Sequence, residues 1–164
     1  MPLRRIISGG QSGVDRGALD AALGLGFPCG GTCPRGRKAE DGPIPECYPL
    51  KETKSDDYAQ RTEANVRASD GTLILVPWLP LTGGTLLTRE LAERFGKPHM
   101  IVEMENVSGT QQQTNIAEVL AWLDQRTIER LNVAGPRESG APGIGRATFE
   151  FLSDLIRGFV EPGT

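Results

Sequence analysis

Three segments of this chain have the residue types needed to hold an anion: Ser8-Gly9-Gly10-Gln11-Ser12-Gly13, Thr82-Gly83-Gly84-Thr85 and Gly135-Pro136-Arg137-Glu138-Ser139. Each lies between an apolar run that reads as a strand and an amphipathic run that reads as a helix. The first N–H groups of a helix have no partner within it, and the positive end of its dipole favours negative charge. Glycine lets the backbone come close to a ligand and reach positive φ. The hydroxyls of Ser12, Thr85 and Ser139 can cap the helix or donate to a phosphate oxygen. One such turn is explained by a tight turn and a helix cap alone. Three on one sheet edge make at least one anion site the better account, because open parallel sheets bind ligands beyond their carboxyl ends. The first turn reads G-G-x-x-G rather than G-x-G-x-x-G, and no G-K-[ST] follows any glycine loop, so neither named phosphate fingerprint is present.

Charged residues stand near these turns. Asp15 falls in the first turn of the helix after Gly13, where it suits the dipole or could accept hydrogen bonds from a ligand. Arg16 opposes the dipole there, which favours an anionic partner. Arg35, Arg37 and Lys38 could close over an oxyanion, or form a solvated turn neutralised by Glu40 and Asp41. Arg137 has the fork that suits phosphate. The one histidine, His99, stands at the beginning of an expected strand, away from the carboxyl ends. No Ser/His/Asp set, carboxylate pair or metal-ligand spacing can be assembled, so no catalytic residue and no structural metal is expected. Binding is better supported than catalysis.

The elements that position these residues alternate β and α. Strands are expected over Leu3 to Ser8, more weakly Phe27 to Thr32, then Thr72 to Val76, Pro98 to Val102 and Arg130 to Ala134. Helices are expected from Gly13 to Leu25, Asp56 to Ala68, about Gly83 to Phe95, around Ile116 to Leu123, and from about Gly143. Residues 33–55 and 105–113 read as loops, the first long enough to be functional or disordered. Apolar strands alternating with amphipathic helices predict an α/β, Rossmann-like three-layer sandwich with a mostly parallel sheet of about five strands. Residues 1–164 read as one ligand-binding domain.

Composition narrows the partners. A net charge of −3 gives no overall pull toward nucleic acid or anionic membrane, and 5% aromatic residues leave few stacking platforms. No run of 18 apolar residues could span a bilayer, and the first residues enter a strand without a signal-peptide stretch. Three cysteines, Cys29, Cys33 and Cys47, suit free thiols in a reducing cytoplasm rather than a disulfide framework.

The runs IISGGQSGVDRGALDAAL, CPRGRKAEDGPIPECYPLKET, TLLTRELAERFGKP and NVAGPRES together resemble the molybdenum carrier family, over about Arg5 to Phe159. That family is similar to the wider group of Rossmann-like proteins that includes the "lonely guy" phosphoribohydrolases. The resemblance implies a homo-oligomer that binds the molybdenum cofactor (molybdopterin), an anionic pterin dithiolene with a terminal phosphate. By position it implies ligand contacts at Gly9, Gly10, Gln11 and Gly13, a phosphate turn at Gly83, Gly84 and Thr85, and weaker ones at Arg137, Glu138 and Ser139. The hydrolase relatives carry P-G-G-x-G-T-x-x-E. Here Thr88 stands three residues after Thr85 and the glutamate comes only at Glu90. Two residues turn a helix by roughly 200°, so Glu90 is expected off the catalytic face. A small-molecule carrier is therefore the leading expectation. A nucleoside-monophosphate phosphoribohydrolase-like enzyme and a nucleotide sensor are the alternatives.

Overall fold

A computed structural model describes residues 3–104 and 109–160, with side chains through Gly158. β1 (Arg5–Ile7) leads into α1 (Val14–Gly24), followed by β2 (Cys29–Cys33) and β3 (Leu50–Glu52). Next come α2 (Tyr58–Ala68), β4 (Gly71–Val76), α3 (Gly83–Arg94) and β5 (His99–Glu103). Then α4 (Gly109–Gln125) and β6 (Arg130–Ala134) lead through a 3-10 turn at Glu138–Gly140 into α5 (Ile144–Val160). The described strands form one six-stranded sheet in the order β3-β2-β1-β6-β4-β5, and every pairing is parallel.

The sixth strand departs from the expected five. It is β3, inside the presumed loop 33–55, paired Gly31↔Leu50 and Cys33↔Glu52. It is an edge strand whose Lys51 and Glu52 are exposed, so it carries no buried face for a hydrophobic pattern to reveal. Of the loop expected over 105–113, residues 105–108 lie outside the described residues and 109–113 already belong to α4. That first stretch of α4 is polar and largely exposed, so it too lacks an apolar stripe.

The sheet is covered on both faces. β4 is buried along its whole length, and its side chains alternate between two cores. Leu73 and Leu75 join the large cluster under α1, α4 and α5, where Leu19, Leu123, Phe151 and Leu155 are fully buried. Ile74 and Val76 face the other side with Leu81, near where Val66 of α2 packs on Leu91 of α3. Among the described residues no helix is long and apolar enough to cross a membrane.

Gly13 fixes how the strand ends meet. Its φ is 85°, and an added Cβ would stand 2.5 Å from Pro136 O and 2.7 Å from Glu138 N. A side chain there would push the β1–α1 turn off the β6–α5 turn, which Val14 N joins by donating to Pro136 O at 3.3 Å.

Candidate functional site

A cavity of about 330 Å³ opens at the carboxyl ends of β1, β6 and β4. The helices that follow β6 and β4 lie on opposite faces of the sheet, so the connections diverge there and leave a crevice. Gly9, Gln11 and Asp15 line it from the first turn, Arg137 from the turn after β6, and Gly84, Thr85 and Thr88 from α3. The far wall is α2.

The three glycine turns differ in what already fills them. At the start of α5, Glu138 accepts from Gly143 N (2.6 Å) and Gly145 N (3.0 Å). Between the first and third turns lies Glu40, whose carboxylate accepts from the Ser12 and Ser139 hydroxyls and from Ser139 N at 3.1 Å. Hydrogen bonds from Ser12 and then Ser139 hold the Glu40 carboxyl below its ordinary range, and Arg137 Nη1 stands 3.9 Å away. Glu138 thus takes N–H groups at the start of α5, and Glu40 takes the Ser12 and Ser139 hydroxyls. Neither Gly13 at α1 nor Thr82 at α3 makes a side-chain cap bond, but the space around them differs: a Cβ at Gly13 would stand 2.5 Å from Pro136 O, whereas one built on Gly84 meets nothing within 4 Å. Thr85 is buried and lines the cavity, so the α3 N-terminus is the open positive dipole end of the site.

The same cavity is lined by the cations Arg61 and Arg137. Arg61 of α2 is buried, donates from Nη1 to Gly9 O at 3.0 Å, and lies 3.7 Å from Asp15 Oδ2. The Tyr58 ring carries Arg61 and Arg137, each at 5.3 Å from its centroid, and Lys38 Nζ at 4.7 Å. Burial pushes the Asp15 carboxyl up from its ordinary value, opposed by Arg61 and by the Gln11 N–H. Gln11 is oriented by its own carbonyl, which accepts from Ser12 N (3.0 Å) and Glu40 N (2.9 Å). That leaves Nε2 as a buried donor with no partner among the described residues. A buried unpaired donor in a cavity-lining side chain is costly unless something occupies it.

Of the three turns and the charged residues beside them, nine residues line the cavity: Gly9, Gln11, Asp15, Thr82, Gly84, Thr85, Gly135, Pro136 and Arg137. Gly10 instead faces the side chains of Ile44 and Leu50, and Gly13 is packed between the turns. Ser12, Glu138 and Ser139 belong to the carboxylate network just described. Arg16 is taken by Asp41 at 2.6 Å and by Gly10 O. Arg35 and Gly83 do not line the cavity, and Glu90 is exposed on α3 while Thr88 points inward. Among the described residues no group of three His, Cys, Asp or Glu could hold a metal ion.

Sequence reasoning passed over Tyr58, Arg61, Thr62 and Asn65 of α2, and Trp78 of the β4–α3 loop, all of which line the cavity. The α2 residues recur at i, i+3, i+4 and i+7, the spacing of one helix face. A polar face on a helix that must cover a sheet was the available signal.

The sequence model of the circularly permutated YpsA SLOG family matches residues 6–156. The chain belongs to that family. Every cavity residue named above falls inside the matched span. A crystal structure from Syntrophus aciditrophicus, of a protein named "Putative molybdenum carrier protein", is 41% identical over 98% of this chain and 96% of that one. The two folds agree with a TM-score of 0.87. Among curated proteins none matches.

Proposed function

We propose that this protein binds and carries a phosphate-bearing anionic small molecule in the cavity, and that the molybdenum cofactor is that cargo. One observation carries the reading: the open N-terminus of α3 lines the same cavity as Arg61 and Arg137. The N–H groups at Gly84 and Thr85 receive the phosphate, and the Thr85 hydroxyl adds a donor. Arg61, Arg137 and the spare Gln11 Nε2 meet the remaining negative charge or carbonyl oxygens. The name borne by the Syntrophus aciditrophicus protein points the same way.

A second reading is hydrolysis of a nucleoside monophosphate at the N-glycosidic bond. It is favoured by Asp15, a buried carboxyl in the cavity wall with a raised pKa. It is weakened by Thr88, which stands where the related hydrolases carry glutamate.

Mixing the purified protein with molybdenum cofactor anaerobically and gel-filtering it tests the carrier reading. Molybdenum and pterin are expected to co-elute with the protein peak, and Gly84→Val is expected to lose at least about tenfold in retention. Gly84 has open space around it and no positive φ, and its helical position prefers a side chain, so the variant folds. Absence of both molybdenum and pterin from the wild-type peak would reject the cofactor. Release of ribose 5-phosphate from AMP would establish the second reading.

A further inference from the structure

The cavity lining combines two chemistries. Arg61 and Arg137 supply charge, and Val76, Pro80, Leu81 and Leu87 supply apolar surface. Trp78 also lines it, from the loop that leaves β4. It is 54% exposed, and neighbouring Leu79 is 50% exposed, although large apolar side chains elsewhere are mostly buried. Leaving an indole in water forfeits the free energy its burial would give. Among the described residues two aromatic rings line the cavity, Tyr58 and Trp78. The faces of Tyr58 are approached by three cations. No cation, ring or hydrogen-bond partner engages Trp78 among the described residues. A volume of about 330 Å³ also greatly exceeds what a phosphate fills.

We infer that Trp78 is the specificity-determining residue that stacks on a planar heteroaromatic ring of the ligand, a pterin or a purine, while the α3 turn holds its phosphate. This rests on the anion-binding reading above. A sugar phosphate uses the turn and the cations and leaves the indole idle. A ring-bearing phosphate covers it and gains the stacking, while the adjacent prolines 77 and 80 restrict the loop that presents it.

The test is calorimetric titration of the whole chain with ribose 5-phosphate, AMP and neopterin monophosphate, repeated on Trp78→Phe and Trp78→Ala. At least one ring-bearing probe is expected to bind about tenfold or more tighter than ribose 5-phosphate, and the tighter of the two identifies the ring. Trp78→Ala should erase that gain without changing ribose 5-phosphate affinity, and Trp78→Phe should keep most of it. Wild-type indole emission should change on saturation with the ring-bearing probe, and this change should vanish in Trp78→Phe, where half-buried Trp122 remains. If ribose 5-phosphate binds but neither ring-bearing probe is tighter, or if Trp78→Ala leaves the ratio intact, the stacking role is overturned and the anion site stands. If none of the three probes binds, the anion reading fails and takes this inference with it. If Trp78→Ala instead lowers the sedimentation coefficient with the ratio unchanged, the indole covers a second copy of the chain and the inference is likewise overturned.

Discussion

At the scale of single residues, Asp15 sets the charge of the cavity. It is the carboxylate in a wall that otherwise presents Arg61 and Arg137, and burial disfavours its charged form more than Arg61 and its hydrogen bonds can offset. Replacing it by Asn removes a repulsion from any bound anion. At a pH above the range in which Asp15 ionises, Asp15→Asn should tighten sulfate binding about three- to tenfold, read by calorimetry at low salt. The same group makes binding pH-dependent. Its folded-state pKa is raised, so Asp15 ionises across a range above that of an ordinary aspartate, and wild-type affinity for a ligand of fixed charge should weaken as pH rises through that range. The stability term has the same direction, because between the unfolded and folded pKa values the native state holds the extra proton. Inorganic sulfate keeps its charge throughout and is the suitable probe; an unchanged pH profile in Asp15→Asn would assign the effect to another group.

At the scale of elements, residues 34–49 form a strap fastened by its acidic tip. Glu40 bonds Ser12 and Ser139, Asp41 pairs with Arg16, and Arg37 donates to the carbonyls of Ile44, Pro45 and Tyr48 within the strap itself. Glu40→Gln should leave the global fold intact and raise amide exchange of the strap several-fold, seen at Gly42 and Ile44 by hydrogen–deuterium exchange. Since Glu40 is held below its ordinary pKa, its contribution is present above that ordinary value and is lost as pH falls through the lowered one. The wild-type strap should therefore loosen in acid, and Glu40→Gln should show no such step. The strap also marks how far the sequence could be read. The apolar runs around Leu73 and Leu131 and the helix faces of α1, α3 and α5 were legible because burial wrote a period into them. β3 was not, since an exposed edge strand needs no apolar alternation, nor was the start of α4 among Thr110 and its glutamines. For the site, the glycine turns were legible at the strand ends. Arg61 was not, because it arrives from a helix some 50 residues along that crosses over the sheet, a separation visible in its bond to Gly9.

At the scale of the whole molecule, the larger core lies under α1, α4 and α5. Phe151→Ala empties a fully buried site there and should cost about 3–5 kcal/mol in urea denaturation, without altering the cavity on the sheet's carboxyl edge. The α/β class followed from the alternation of elements; the sheet order did not, because local pattern says nothing about which parallel strand lies beside which. That order has a consequence in time. β1 and β4 are both central, yet neither has both neighbours until β6 is made, and Ser8 waits 125 residues for the Val133 carbonyl that its hydroxyl reaches. Without β6 the strands fall into two groups, β3-β2-β1 and β4-β5, each with an open inner edge. On the ribosome, then, most of the chain must emerge before either half can close, and β6 acts as a keystone set last. Nascent chains arrested before Arg130 should be digested by protease along their length, and protection should arrive in one late step once β6 and α5 clear the exit tunnel.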